Sequence, residues 1–128
     1  MSRIVVNYSG HPLSREARRT LEAEFDVVLQ TQPIQFDFSL DVNEQLKQVC
    51  NDTLAALDAD STLTLIPPGQ STVAILLVSY IHGILGHFPR ICYLELGEQG
   101  LYLPHSEFQV DLQHARTAGR VFRMKRFG

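Results

Sequence analysis

The chain has 128 residues, of which 45% are hydrophobic and 20% are charged, and its net charge is -3. These values are typical of one globular domain that buries its own core, and they argue against a protein that binds long nucleic acids through bulk positive charge. The longest uninterrupted apolar run, at 73–78, is too short to span a bilayer, so we expect no membrane partner.

Charge and cysteine content give two further expectations. Residues 1–64 carry five Lys/Arg and ten Asp/Glu, whereas residues 65–128 carry six and four, and five of those six bases lie in 116–126. Cys50 and Cys92 both fall in apolar patterns and are expected to be small core residues. Two cysteines and a start without a secretory signal predict a cytoplasmic protein.

Strand-like apolar runs alternate with stretches of helical periodicity along the whole chain. Ser14 can cap the first helix, and Asp41 or Asn43 the second. In chain order, the predicted elements are a strand at 3–8, a helix at 14–25, a strand at 26–32 that continues extended to 38, a helix at 41–57, a strand at 62–66, a helix at 71–86, a strand at 90–96, a short edge strand at 108–112 and a helical end at 112–126.

This alternation is typical of right-handed βαβ units and a mainly parallel sheet. We therefore predict an α/β fold, a small Rossmann-like three-layer sandwich with four to five strands, as a single domain over residues 1–128. In such sheets, ligands bind beyond the carboxyl ends of the strands, where the strand order reverses. With the order 2-1-3-4, the loops that follow the first and third strands would border one crevice.

The loop after the third strand has the composition of an anion site. Its prolines turn the chain away from the sheet, and Gly69 permits a close backbone approach or a positive φ. Ser71 and Thr72 stand at the exposed N–H groups of a helix start, where negative charge is favoured. Helix capping alone is the competing explanation. The predicted ligand-binding residues of this loop are Pro68, Gly69, Gln70, Ser71 and Thr72.

The loop after the first strand clusters three hydrogen-bonding side chains, those of Asn7, Ser9 and His11. A histidine can donate to phosphate or act as a general acid or base near neutral pH. Alternatively, Asn7 and Ser9 satisfy backbone groups of the turn. Two such loops together favour a ligand site that includes Asn7, Ser9, Gly10 and His11.

Several kinds of chemistry have no support in the sequence. Neither G-x-x-x-x-G-K-[ST] nor G-x-G-x-x-G occurs, which argues against a P-loop NTPase and an ordinary dinucleotide oxidoreductase. No Cys/His spacing indicates zinc, and no carboxylate pair is placed for acid/base work. We predict no metal, no cofactor and no catalytic residue, with His11 as the one candidate.

Two segments in the second half of the chain can each be interpreted in more than one way. The helix at 71–86 is apolar on nearly all sides in its first half, which is typical of a helix buried on both sides, either within the domain or against a partner, and a subunit interface is one hypothesis. The basic end, with Arg116, Arg120 and Arg123 at helical spacing, can bind phosphate or can simply be a solvated helix end that suits the helix dipole.

Two motifs resemble those of the small Csx-type accessory proteins of type III CRISPR systems. The first is N-x-S-(x)-H-P-L, present here as residues 7–13 with Gly10 as an extra residue. The second follows a proline-containing loop and an apolar helix and reads H-G-x-x-G-x-F-P, present here as residues 82–89. The extra Gly10 is a departure that bears on the role of His11.

The resemblance implies a Rossmann-like domain of the CARF-like kind that binds a cyclic oligoadenylate second messenger. The expected ligand is cyclic tetra-adenylate, bound by a homodimer or higher homo-oligomer and sequestered, which would damp type III CRISPR antiviral signalling. The matching positions are Asn7, Ser9 and His11 and, by location, Gly69, Gln70 and Ser71. The alternatives are a metal-independent ring nuclease, which relies on positioning of the ribose 2′-OH, and a protein-interaction subunit without a small ligand.

Overall fold

The structure is a computed structural model that describes residues 2–31, 33–96 and 102–128. Strands and helices alternate up to β4, and β5 and α4 then follow. The elements are β1 (Arg3–Asn7), α1 (Arg15–Glu24), β2 (Val27–Gln30), α2 (Val42–Ala56), β3 (Thr62–Ile66), α3 (Ser71–Leu85), β4 (Arg90–Leu96), β5 (Tyr102–Val110) and α4 (Leu112–Phe127).

The strands form one sheet in the order β2-β1-β3-β4-β5. The first four are parallel, and β5 is antiparallel to β4. The predicted α/β class, the mainly parallel sheet and the order 2-1-3-4 are therefore confirmed. The order also makes β1 and β3 neighbours, so that their carboxyl ends lie at the same edge of the sheet.

Helices cover both faces of the sheet, because the central strands are apolar on both sides. In β1, Ile4, Val5 and Val6 are fully buried. Ile4 and Val6 pack in a core with α2 and α3, whereas Val5 packs with Leu21 of α1 on the other face. A strand without alternation of apolar and polar residues is what a doubly covered parallel sheet requires.

The helix ends follow local chemistry that the sequence only partly reveals. Ser14 caps α1 and Asp41 caps α2, each through a side-chain oxygen that accepts a backbone N–H three residues on, at 3.0 and 3.1 Å. Gly86 ends α3 with φ of 79°, in the left-handed region that favours glycine. The ring of Phe88 then lies 4.2 Å from that of His82, centroid to centroid.

Two predicted segments differ from the structure. Residues 33–38, predicted as an extended continuation of the second strand, do not join the sheet, and the side chain of Gln45 on α2 bonds both the N–H and the carbonyl of Asp37, at 2.9 Å each. This contact supplies the backbone partner that a neighbouring strand would otherwise give. The edge strand predicted at 108–112 is instead the nine-residue β5, which ends at Val110, and α4 begins directly after it.

Helix α4 packs against the core through its first residue, Leu112, and its remaining residues are exposed. None of its residues is buried, and four large apolar side chains are between 47% and 79% exposed: Val121, Phe122, Met124 and Phe127. Among the described helices, none has the length and apolar character needed to cross a lipid bilayer.

Candidate functional site

The loops after β1 and β3 begin side by side, where a backbone hydrogen bond connects them. Asn7 is paired with Ile66 in the parallel register, and the next residue, Tyr8, donates its backbone N–H to the Ile66 carbonyl at 2.9 Å. The parallel pairing thus continues one residue beyond the strands. This hydrogen bond fixes the two loops side by side at the carboxyl edge of the sheet, as the strand order predicted.

The first loop is organised around the side chain of Asn7, which is 1% exposed. Its Nδ2 donates to the His11 carbonyl and to Gln30 Oε1, both at 2.8 Å. Its Oδ1 accepts the N–H of Ser9 at 3.0 Å and the Ser9 hydroxyl at 2.5 Å. Asn7 therefore uses its donors and acceptor inside the protein and positions the loop, as the alternative interpretation of the sequence held.

Gly10 and Ser9 shape the turn that presents His11. Gly10 has φ of 80°, and a Cβ atom at that position would lie 3.3 Å from Pro33 Cα. The extra residue of the motif is therefore accommodated by a left-handed turn that also packs closely on the next loop. Ser9 Oγ accepts the N–H of His11 at 3.2 Å, and the His11 side chain is exposed.

The second loop leads into α3 as a helix N-terminus. Gln70 is the N-cap, and its Oε1 accepts the Val73 N–H at 2.6 Å. Ser71 and Thr72 are exposed and occupy the first two helical positions, whose N–H groups have no acceptor within the helix. The partial positive charge at this end favours anions.

Gly69 lies just before this helix start and faces open space. Its φ is not positive; the described glycines with a left-handed φ are Gly10 and Gly86. A Cβ atom at Gly69 would meet no other group within 4 Å. Of the two roles that the sequence left open for Gly69, a positive φ is absent, and the close approach of a ligand to the backbone stays a prediction.

A crevice of about 250 Å³ lies between the two loops. Ser9 and His11 border it from the first loop, and Pro68 and Gly69 border it from the second. No Asp or Glu is among the described residues that line it. The crevice therefore offers histidine, hydroxyl and backbone groups to a ligand without a carboxylate that would repel phosphate.

The predicted site residues divide into three groups by position. Ser9, His11, Pro68 and Gly69 lie together in the crevice, and Ser71 lies beside it in an adjoining apolar groove. Thr72 is exposed at the helix start. Asn7, Gly10 and Gln70 do not line the crevice; they determine the backbone geometry of the two loops.

The sequence prediction missed the third wall of the crevice, which Tyr93 and Leu94 of β4 supply. Tyr93 is 48% exposed. The predicted strand order already made β4 the neighbour of β3, so the part of the predicted strand at 90–96 that extends beyond β3 could have indicated these residues. Tyr8, by contrast, is fully buried; its hydroxyl bonds that of Thr53, and burial raises its pKa. It cannot stack on a ligand.

The fold and the crevice define a small, doubly wound Rossmann-like α/β protein with a cleft of about 250 Å³ at the carboxyl ends of neighbouring parallel strands. Among the described residues, no three His, Cys, Asp or Glu side chains cluster as a metal site. No family model, curated protein or solved structure matches the chain.

Proposed function

We propose that the protein binds a cyclic oligoadenylate, with cyclic tetra-adenylate as the expected ligand, and sequesters it as a homodimer or higher homo-oligomer. The observation that carries this proposal is the single crevice bordered by the β1 loop and the β3 loop. The resemblance of the motif at 7–13 supplies the ligand class, and the fold supplies the usual position for a nucleotide.

The chemistry of the crevice suits a phosphate-containing ring. The N-terminus of α3, which begins two residues after Gly69, provides backbone N–H groups and a favourable dipole beside the crevice, and Gly69 leaves room for a phosphate to reach the backbone. On the opposite wall the ring of His11 can donate, whereas the Ser9 hydroxyl already donates to Asn7 Oδ1. Tyr93 is an exposed aromatic residue on which a base can stack.

The size of the crevice supports binding by more than one copy. Cavities of roughly 300–1,000 Å³ hold drug-sized ligands, whereas this crevice is about 250 Å³. A ring of four nucleotides exceeds that volume, so one crevice would hold only part of the ring. Two crevices related by a two-fold axis would match the internal symmetry of the ring.

Titration with cyclic tetra-adenylate in a calorimeter, followed by chromatography of the nucleotide, tests this function. We expect saturable binding and recovery of the intact ring. Linear products would favour the ring nuclease, and the absence of binding to any cyclic oligoadenylate would favour the protein-interaction subunit. Either result would overturn sequestration.

The location of the site is tested by the substitution Gly69→Asp. The substituted position has open space and a φ that other residues adopt, so the fold should be retained while a carboxylate enters the crevice. We expect affinity to fall at least about tenfold, which is about 1.4 kcal/mol. Asn51→Asp, which adds the same charge at an exposed position of α2, is the matched control and should bind as wild type.

A further inference from the structure

Two apolar surfaces are left uncovered by the residues that the structure describes. The first is α4, whose four large apolar side chains are exposed. The second is a groove of about 360 Å³ between α3 and β4. Its apolar wall includes Pro68, Ala74, Ile75, Val78, Ile91 and Tyr93. Of the nine exposed large hydrophobic residues in the described structure, six belong to α4 or to this groove.

We propose that α4 of one copy packs into this groove on a second copy of the same chain. Such an arrangement is a helix-in-groove contact made twice in a symmetric dimer. It does not rest on the proposed nucleotide ligand, because both surfaces are present on the protein alone.

The shapes of the two surfaces favour this pairing. A helix of 16 residues is about 24 Å long, which is enough to run along α3, a helix of 15 residues. Small residues at Ala115, Ala118 and Gly119 allow close approach of another helix, and Phe122 follows on the same side at helical spacing. Phe122 is 64% exposed and Ile75 in the groove is 67% exposed.

Charge complementarity between α4 and the rest of the chain favours a second copy as the occupant. Helix α4 contains five bases and no acid, a net charge of +5. The whole chain carries -3, so the other residues together carry -8. A basic helix with an apolar side is therefore attracted to the acidic body of another copy, and opposite charge speeds association and fixes orientation.

The pairing would also change the nucleotide crevice. Pro67, Pro68 and Tyr93 border both the groove and the crevice. A helix in the groove would therefore lie beside the crevice and would bring a basic element to a site whose described lining contains no Lys or Arg.

Sedimentation of the full chain without nucleotide tests the proposal. We expect wild type at twice the mass of the chain. Phe122→Asp and Ile75→Asp should each raise the dimer dissociation constant at least about tenfold, about 1.4 kcal/mol, because each buries a charge in an apolar contact. Leu40→Asp is the matched control, since Leu40 is 63% exposed and belongs to neither surface. Circular dichroism should show that all three variants remain folded.

Disulfide pairing distinguishes this interface from other dimers. Protein with Ile75→Cys and protein with Phe122→Cys, mixed and oxidised, should form a cross-linked pair that neither protein forms alone. Monomeric wild type, a dimer that either Asp variant leaves intact, or a cross-link formed by Ile75→Cys alone would each overturn the proposal. The last result would mean that α3 meets α3 instead.

Discussion

Nδ2 of Asn7 donates to the carbonyl oxygen of His11 at 2.8 Å and so closes the loop that follows β1. Asn7 is buried at the end of the strand, whereas His11 is exposed beside the crevice. The hydrogen bond therefore connects the rigid core to a residue that borders the crevice. A loop fixed in this way loses little conformational entropy when a ligand binds.

Replacing Asn7 with alanine should lower the free energy of unfolding, because the Asn7 side chain bonds groups of its own loop. The substitution leaves the His11 carbonyl and the Ser9 N–H without their buried partner, which costs about 1–3 kcal/mol. Denaturant unfolding measures the loss. Asn51→Ala, at an exposed position of α2, is the control and should be within about 0.5 kcal/mol of wild type. Equal stability of the two variants would contradict the positioning role of Asn7.

The two loops show how far residue types predict a site. The apolar strands and short connections predicted that the β1 and β3 loops are neighbours, and the strand order confirms it. Whether an asparagine after a strand binds a ligand or its own turn depends on groups far along the chain. Here Gln30, at the end of β2, occupies one Asn7 donor. That contact depends on the packed sheet, and periodicity does not reveal it.

Gly10→Ala and Gly69→Ala should have opposite effects on stability and binding. At Gly10, φ of 80° and the close contact with Pro33 should cost about 1–2 kcal/mol of unfolding free energy. At Gly69, φ is ordinary and the space is open, so thermal unfolding should be unchanged or slightly improved. Thermal melts and nucleotide titration of both variants provide the comparison.

For Gly69→Ala, the binding measurement is the one that tests the location of the site. The added methyl group would stand where the proposed phosphate approaches the backbone, so cyclic tetra-adenylate should bind more weakly at unchanged stability. Wild-type affinity in this variant would place the nucleotide outside the crevice. Loss of stability instead would mean that the glycine serves the turn alone.

Helix α3 shows a different limit of sequence interpretation. Its apolar run predicted burial on both sides, and Val73, Leu77 and Ile81 are buried against the sheet as that pattern requires. Ile75 and Ile84 are 67% and 42% exposed, so no described residue covers these positions on the outer side of the helix. Composition indicates that a surface is apolar, but it does not identify which molecule covers it. For the same reason, helical periodicity predicted helix α4 but did not reveal that none of its residues is buried.

Thr53→Val tests the polar contact inside the core. The Thr53 hydroxyl bonds the buried hydroxyl of Tyr8, and both residues are at most 1% exposed. Valine has nearly the same shape but leaves the tyrosine hydroxyl without this partner, so we expect a loss of about 1–3 kcal/mol in denaturant unfolding. The double variant with Tyr8→Phe should recover part of that loss, because both polar groups are then absent. Additive losses in the double variant would show that the contact contributes little.

Cys50 predicts that stability falls at alkaline pH. Burial raises the pKa of its thiol to about 11, above the value of about 8.5 for an exposed cysteine. The folded state therefore holds the neutral thiol, and its contribution to the unfolding free energy is fully present below about pH 8.5 and is lost as pH rises toward 11.

Denaturant unfolding at intervals between pH 8 and about 11 measures this loss. Cys50→Ala is the comparison: its stability is lower throughout because a buried side chain is truncated, but its decline with pH should be shallower than that of wild type. The same burial should keep Cys50 unreactive toward a thiol reagent until the protein unfolds. Parallel pH profiles for the two proteins, or rapid labelling of native Cys50, would show that the thiol is accessible to water.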